Sequence, residues 1–309
     1  MQPTDHRPID PADPVLDSET VLRLARRHVP AASAVLSVDE TGGEARSYLL
    51  DDGTIFKTQR PHRVRASTSI EKAVFFQRQL EGVDGINVPR VLGYGREGTI
   101  EYVCETRMLG IAARYAHLDE ESNRAMLGDL GRLLRRIHSV DQKPFVESHL
   151  LPQDRDRQAL VQRFQSGFER ALPALARDPG LWPLSAAPET VAAAAIDALP
   201  ADAPGRALHS NPGPPHAFVD PASGVLTGLI DFGDAFISHP AFELRTWPRF
   251  QDRLDLLAGY RSESEVDDTF LGVWRAVMIM VEVMTLAAGP RPERRAEAEH
   301  ALSELLGGG

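Results

Sequence analysis

Cysteine and long apolar runs are nearly absent from this sequence. Its 309 residues contain one cysteine, Cys104, which excludes an intrachain disulfide and a cysteine-based metal site and fits a reducing compartment. The best apolar run, Ala276 to Ala288, is interrupted by Glu282 and is too short to cross a bilayer. The Asp- and Pro-rich N-terminus lacks the features of a signal peptide. We therefore expect a cytoplasmic protein with no membrane partner.

Lysine is also scarce, with three residues against 31 arginines. A GC-rich coding sequence explains this bias better than function does, but it makes each lysine conspicuous. The net charge of -10 would repel nucleic acid, so we expect no nucleic-acid partner. Residues 251–309 hold eleven acidic and six basic side chains. An acidic C-terminal part would favour a cationic acceptor such as an amino sugar, and an ordinary solvated surface explains the same charge equally well.

The first hundred residues have the pattern of an antiparallel sheet with one inserted helix. Short β-type runs alternate with turn residues, and the predicted strands are 34–38, 47–50, 54–58, 89–93 and 100–104. A helix is predicted from Ser18 to about Val29, and a second from about Ser69 to Glu81, between the third and fourth strands. The hydrophobic fraction of 42% and the charged fraction of 25% are those of an ordinary folded protein.

Beyond Gly110 the pattern changes to helices with apolar residues at helical spacing. The clearest helix runs from Asp119 to Ser139. Further helices are predicted at about 155–177, 188–199, 241–258, 265–288 and 292–306. One short β segment, near 217–230, interrupts them. The sequence therefore predicts an α+β protein whose first part is a sheet and whose second part is mainly helical.

The most informative segment lies between Leu208 and Ala235 and reads as loop, strand, turn, strand, loop. Pairing of 217–219 with 225–230 would bring His216 and Asp231 together at the open end of the hairpin. Asn211 lies five residues before His216 and is expected in the same site. A charged Asp231 directly after an apolar run is costly unless its carboxylate meets a cation or a hydrogen-bond network. Magnesium is a good candidate for that cation.

These motifs resemble the aminoglycoside phosphotransferase superfamily. Its signature is a His-Gly-Asp-type catalytic loop, a metal-binding Asn or His five residues after the Asp, and a later Ile-Asp-Phe/Trp-Gly segment. Ile230-Asp-Phe-Gly-Asp234 matches the last element, and His216 matches the His variant of the macrolide phosphotransferase branch. Lys57 matches the phosphate-pairing lysine, and residues 130–140 and 238–244 match two further family segments. The resemblance covers about residues 20–290.

The resemblance implies a protein-kinase-like bilobal fold. Its first lobe would be residues 1–105, with a five-stranded antiparallel sheet and a helix, joined by a hinge at 106–110 to a mainly helical second lobe at 111–309. The implied activity is phosphoryl transfer from ATP or GTP, with Mg²⁺, to a hydroxyl of a small molecule, natural product or peptide. Such transfer depends on positioning and charge neutralisation more than on covalent chemistry.

The resemblance also assigns roles to individual residues. Lys57 would hold the α and β phosphates, and Asp231 with His216 would hold Mg²⁺. Glu105 falls where the hinge of the family offers backbone groups to the nucleotide base.

Two further nucleotide contacts follow from the resemblance. The backbone of the Gly42-Gly43 turn would approach the phosphates. The helix glutamate that pairs with the lysine is Glu71 in one register, whereas the other register places Ala73 at that position, and the sequence leaves both open.

Asn211 is the main departure from the family pattern, because it stands at the position of the catalytic aspartate and cannot accept a proton or carry a charge. Its neighbour Pro212 replaces an apolar residue and stiffens the loop. Three interpretations follow. The protein is a phosphotransferase with impaired or altered catalysis; or a pseudokinase-like member that binds nucleotide, peptide or metabolite without transfer, as a partner in a biosynthetic pathway; or Asn211 is an engineered substitution in an active kinase.

Overall fold

The computed structural model describes residues 15–60, 69–202, 204–289 and 292–307. Most of the N-terminal segment, which the sequence predicts to be extended, lies outside these ranges. The chain divides into two compact units. The first comprises Met1–Gly110 and Thr227–Ala235, and the second comprises Ile111–Leu226 and Phe236–Gly309.

The first unit contains a five-stranded antiparallel sheet, which confirms the predicted architecture. Its strands are β1 (Val35–Asp39), β2 (Ala45–Leu50), β3 (Thr54–Gln59), β4 (Val91–Glu97) and β5 (Ile100–Thr106). Their order across the sheet is β1-β2-β3-β5-β4. Strand β3 is therefore central, and its Lys57 lies opposite Ser47 of β2 and Val103 of β5.

Two helices cover the two faces of this sheet. Helix α1 (Ser18–Ala25) packs against a cluster that includes Phe56 and Cys104, both fully buried. Its N-cap is Asp17 rather than the predicted Ser18, because the Asp17 carboxylate accepts the Thr20 N–H.

Helix α2 (Ile70–Leu80) begins after Ser69, whose hydroxyl accepts the Lys72 N–H. It packs on the opposite face of the sheet, where Ile70 and Val74 contact Val103. Successive side chains of a strand point to opposite faces. Lys57, next to Phe56 and across from Val103, therefore points to the α2 face.

The second unit is mainly helical, as predicted. The helices described there are α3 (Glu120–Ser139), α4 (Lys143–Glu147), α5 (Arg157–Arg177), α6 (Pro188–Asp197), α7 (Phe250–Glu263), α8 (Asp268–Ala287) and α9 (Pro292–Gly307). Two short antiparallel pairs join β6 (Ile111–Ala112) to β8 (Ala217–Val219) and β7 (Arg206–Leu208) to β10 (Phe236–Ser238). One more strand, β9 (Leu226–Leu229), leads into the segment Thr227–Ala235 of the first unit.

Helices α3 and α7 approach each other closely through glycine. A Cβ on Gly259 of α7 would lie 2.2 Å from the Gly128 carbonyl oxygen, and one on Gly131 of α3 would lie 2.3 Å from the Leu256 carbonyl oxygen. No side chain fits at those distances. The glycines therefore set the separation of the helix pair that carries His138 and Tyr260.

The predicted helix at 241–258 is wrong in its first half. Residues Pro240–Arg245 form a 3₁₀ segment, and α7 begins only at Phe250. Pro248 explains the break, because proline has no N–H and its ring clashes with the preceding turn of a helix. The 3₁₀ segment places its side chains against the loop that carries Asn211.

Helix α8 is long and apolar enough to span a membrane by length and composition, and the described residues contain no other such helix. The expectation that no stretch reaches this length is therefore wrong. However, 61% of its most apolar window is buried inside the structure. Glu282, in the second half of the helix, is buried and pairs with the buried guanidinium of Arg253 on α7. Its apolar character is accounted for by the core of the second unit.

Candidate functional site

Lys57 and Asp231, predicted as functional residues, meet in the first unit. The Lys57 Nζ donates to Asp231 Oδ1 at 3.1 Å. The Lys57 side chain is 18% exposed and that of Asp231 41% exposed. Burial lowers the pKa of Lys57, but the charges of Asp231 and Glu105 outweigh it, so the net pKa lies above its usual value. The ammonium therefore stays charged beside a carboxylate that remains accessible.

Strand β9 is held where it delivers Asp231 to this position. The Leu229 N–H donates to the Asn87 carbonyl oxygen at 3.2 Å, and the Asn87 side-chain amide donates to the Thr227 carbonyl oxygen. A Cβ on Gly228 would lie 2.5 Å from the same Asn87 oxygen. Only glycine permits this approach, so Asn87 and Gly228 together fix the position of β9, which ends two residues before Asp231.

The backbone at Asp231 adopts a left-handed conformation that is uncommon for residues other than glycine. Its φ is 71°, a left-handed value that costs a non-glycine residue about 1 kcal/mol or more and is found preferentially at functional sites. The next residue, Phe232, is fully buried and packs on Phe76 of α2 with ring centroids 4.9 Å apart. The buried ring anchors the turn, and the turn leaves the carboxylate beside Lys57.

Glu105 extends this cluster on the neighbouring strand. Its Oε2 accepts a hydrogen bond of 2.9 Å from Gln77 of α2. Burial raises the pKa of Glu105, and the Lys57 charge and Gln77 only partly oppose the effect. The sequence predicted Glu105 as a nucleotide contact through its backbone. The structure places its side chain within the electrostatic environment of Lys57.

The other predicted nucleotide contacts are placed differently. Glu71 lies on α2 but forms an exposed ion pair with Arg96 at 2.8 Å, so the structure does not bring its carboxylate to Lys57. Gln77 is the α2 residue that reaches this cluster.

Gly42 and Gly43 lie in the connection between β1 and β2, as predicted. A Cβ on Gly42 would lie 2.5 Å from the Ala45 carbonyl oxygen, whereas one on Gly43 meets nothing within 4 Å. Only Gly42 is required by this turn. Their predicted approach to phosphates stays a prediction.

The loop that carries Asn211 belongs to the second unit and is anchored by Glu243 of the 3₁₀ segment. The buried Glu243 carboxylate accepts the His209 N–H at 2.6 Å and the Ser210 N–H at 2.8 Å. Burial alone would raise its pKa. The hydrogen bond and charge of His138, with His209 and Arg245, outweigh burial and leave the pKa of Glu243 below its usual value.

Two further side chains of the same region hold the loop carbonyls. Arg245 donates to the Ser210 carbonyl oxygen at 3.2 Å, and the Trp247 indole N–H donates to the Pro212 carbonyl oxygen at 3.0 Å. Ser210 itself has a φ of 85°. This left-handed conformation favours glycine, and Ser210 stands at the glycine of the His-Gly-Asp signature.

His216, predicted as a metal ligand, has a defined tautomer. Its Nδ1 lies 2.7 Å from the Asn211 carbonyl oxygen. A carbonyl oxygen only accepts, so Nδ1 carries the proton and the lone pair of the neutral ring is on Nε2. Backbone hydrogen bonding at one ring nitrogen is the usual way of orienting a ligating histidine. His209, in contrast, accepts the Asn211 N–H at Nδ1 and braces the loop.

Asn211 also lines a cavity of about 950 Å³ inside the second unit. Its walls come from α5, the 3₁₀ segment, α8 and the beginning of α9. The volume lies within the range of small-molecule sites. The predicted catalytic position therefore opens into a space large enough for an acceptor molecule.

The sequence predicted an acceptor pocket between the Asn211 loop and the helices after residue 150, but it identified neither the role of Glu243 nor the individual wall residues of this cavity. Glu243 carried a usable signal, since an acidic residue between Phe242 and Leu244 is costly to bury unless it is hydrogen-bonded. The individual wall residues carried none, because they come from segments separated by more than a hundred positions.

Comparison with protein-family models matches residues 35–263 to the phosphotransferase enzyme family, named APH. The matched range contains Lys57, Asn211, His216 and Asp231. A comparison with curated protein sequences found no match.

Solved structures of phosphotransferases share the fold. The GDP complex of wild-type aminoglycoside 2'-phosphotransferase-IIIa is 16% identical, with a TM-score of 0.62 over 95% of this chain and 99% of that one. The macrolide 2'-phosphotransferase MphH from Brachybacterium faecium is 18% identical, with a TM-score of 0.59 over 92% and 98%. The GDP and kanamycin complex of a further aminoglycoside phosphotransferase is 17% identical, with a TM-score of 0.60 over 92% and 96%.

Proposed function

The chain belongs to the phosphotransferase enzyme family, and we propose that it transfers a phosphoryl group from a magnesium-bound nucleotide, ATP or GTP, to a hydroxyl of a small molecule. The observation that carries the proposal is the Lys57–Asp231 pair, 3.1 Å apart. The pair joins a strand lysine to an aspartate with a left-handed backbone. A charged lysine and a metal-binding carboxylate are the protein groups that phosphoryl transfer requires at the phosphates.

Lys57 is the residue proposed to neutralise the α and β phosphates. Its pKa is held above the usual value by Asp231 and Glu105, so it is cationic at neutral pH. Glu105 takes the place beside the lysine that the family pattern gives to a helix glutamate, with Gln77 of α2 fixing its orientation. This arrangement accounts for Glu71 lying at the surface instead.

The donors present fit magnesium. Mg²⁺ is usually held by one or two protein side chains together with the phosphates of its substrate, and the described residues contain no cluster of three or more metal-ligating side chains. Asp231 offers an accessible carboxylate, and the family resemblance gives His216 as the second ligand. When bound, the ion would neutralise charge on the transferring phosphates.

Asn211 takes a positioning role in this proposal. Its side-chain oxygen can accept a hydrogen bond from the acceptor hydroxyl, but the amide cannot remove the proton. Loss of a general base costs about 10²- to 10⁴-fold in rate, and a dissociative transition state needs little help from one. The proposed enzyme is therefore slow rather than inactive.

Binding without transfer is the second candidate, and Asn211 is the observation that favours it. Both candidates require nucleotide binding, and they differ only in turnover. The nucleotide site is therefore tested first and turnover second.

The test is the melting temperature with and without millimolar MgATP or MgGTP, because a ligand that binds only the folded state raises it. We expect a magnesium-dependent rise that disappears in Lys57→Ala and in Asp231→Ala. Lys143→Ala is the matched control, since its side chain is 73% exposed and pairs only with exposed Glu147. It should keep the full rise.

An unchanged melting temperature with both nucleotides would overturn the proposal. So would a rise of equal size in Lys57→Ala, because the nucleotide would then bind elsewhere. Where the rise is present, formation of the nucleoside diphosphate over hours separates slow transfer, to an acceptor hydroxyl or to water, from binding alone.

A further inference from the structure

The ionisable residues that line the cavity beside Asn211 are almost all positively charged. Its ionisable lining consists of five arginines and one aspartate: Arg163, Arg170, Arg245, Arg294, Arg295 and Asp154. The remaining lining residues are uncharged. A chain whose net charge is -10 therefore surrounds its cavity with cations.

The single carboxylate of the lining is already neutralised. Asp154 accepts two hydrogen bonds from Arg163, Nε to Oδ2 at 2.5 Å and Nη2 to Oδ1 at 3.0 Å. This is the bidentate geometry that guanidinium and carboxylate prefer. Arg295 is likewise paired, with Glu299 at 2.7 Å. Two of the five arginines are thus offset by acidic side chains.

The other three arginines have no acidic hydrogen-bond partner among the described residues. Arg245 donates to the backbone carbonyl oxygens of Phe242 and Ser210. Arg170 on α5 is exposed, Arg294 on α9 is half-buried, and neither forms an ion pair or hydrogen bond with another described residue. Guanidinium groups gathered around a partly enclosed space raise the local concentration of anions there.

We infer that the acceptor is a small hydroxylated anion, an alcohol that also carries a carboxylate or a phosphate group. The inference rests on the proposed function, because Asn211 identifies the cavity as the acceptor site. Arginine matches both anionic groups through its fork of N–H donors. Arg170 and Arg294 are the residues that would hold the anionic group, with the hydroxyl directed to Asn211.

The same charges disfavour an amino sugar. A polycation would meet five guanidinium groups and one carboxylate in the lining, and like charges in a partly enclosed site cost free energy. The neutral Asn211 is consistent with an anionic acceptor, because an aspartate there would repel it. The acidic residues of the C-terminal part are therefore a solvated surface, and they do not define the acceptor.

The test compares compounds that share one sugar ring and differ in charge. Dissociation constants of glucuronate, glucose 6-phosphate, glucose and glucosamine are measured by titration calorimetry at constant ionic strength, without nucleotide. Inorganic phosphate is the fifth probe. We expect both sugar anions to bind and glucosamine to bind most weakly. The sugar anion with the lower dissociation constant identifies carboxylate or phosphate as the preferred group.

Variants locate the binding in the cavity. Arg170→Ala and Arg294→Ala should each weaken the anions about tenfold, the effect of losing one charge-assisted contact. Arg177→Ala should change nothing, because Arg177 lies on the same helix as Arg170 but does not line the cavity, and among the described residues its side chain donates to the Pro173 carbonyl oxygen. Binding should persist in Lys57→Ala, which excludes the proposed nucleotide site as its origin.

Three results would overturn the inference: glucosamine binding as tightly as the anions, neither sugar anion binding, or anion binding that is insensitive to both cavity variants. None of these depends on the nucleotide. A rise of the melting temperature with magnesium and nucleotide, but without anion binding, rejects only this inference. Anion binding without that rise rejects only the proposed phosphotransferase activity.

Discussion

Lys57 and Asp231 are 174 positions apart in the sequence and form a hydrogen bond of 3.1 Å in the structure. The segment Thr227–Ala235 packs in the same compact unit as the five-stranded sheet, and this packing brings Asp231 to Lys57. Asn87 and Gly228 hold the incoming strand, and Phe232 anchors the turn that follows it. The cost of a left-handed aspartate is offset by this packing, which orients its carboxylate toward the lysine.

Replacement of Glu243 should destabilise the protein strongly. Glu243→Ala removes the acceptor of two backbone N–H groups, and each buried donor left without a partner costs about 1–3 kcal/mol. We expect a loss of about 3 kcal/mol, measured by urea unfolding followed by circular dichroism.

Glu147→Ala is the control for this substitution. The Glu147 side chain is 63% exposed, and exposed ion pairs contribute about 0–1 kcal/mol. A Glu243 variant as stable as Glu147→Ala would contradict the anchoring role.

The first-unit sheet was predictable because its alternating strands are separated by turn residues. Lys57 and Asp231 were predictable because a family motif names them. The long-range contacts were not predictable, since Gln77 meets Glu105 in the first unit, and Glu243 meets the backbone of His209 in the second, only through packing. The sequence left Glu71 and Ala73 open for the helix position. In the structure Glu71 pairs with Arg96, and Gln77 contacts Glu105. The predicted roles of Glu105, His216 and the glycine turn stay predictions.

His239 should make stability fall on acidification. Burial, aided by His138 and opposed by Asp267, lowers the pKa of His239 from 6.5 to about 4. The unfolded chain then binds a proton at a higher pH than the folded chain does. Stability from this residue is complete above pH 6.5 and is lost as the pH falls toward 4, by about 3 kcal/mol in total.

His239→Asn isolates this effect, because asparagine can still accept the Ala241 N–H but does not titrate. The variant loses the ring contact with Phe270 at every pH, so the slope of stability against pH is the readout. Equal slopes for the two proteins between pH 6.5 and 4 would contradict the prediction.

Cys104 should be unreactive in the folded protein. It is fully buried between α1 and the sheet, and burial raises the pKa of its thiol to about 12. Thiolate is the reactive form, so iodoacetamide at pH 8 should leave the native protein unmodified and label it once in urea. Because the chain has one cysteine, the mass of the product reports on the first unit alone. Rapid labelling without denaturant would show that this core opens.

Asn211→Asp should change turnover and acceptor affinity in opposite directions. An aspartate supplies the missing general base, so nucleotide hydrolysis should rise by up to about 10²- to 10⁴-fold. The same substitution adds a negative charge to a cavity that we infer binds anions, and the dissociation constant of the preferred sugar anion should rise about tenfold. Asn211→Ala is the control that removes the amide without adding charge; it should raise neither quantity by these factors. Hydrolysis unchanged in Asn211→Asp would favour binding without transfer. Anion affinity unchanged in a variant with faster hydrolysis would place the acceptor outside the arginine-lined cavity, because a charge at residue 211 must be felt by any anion held there.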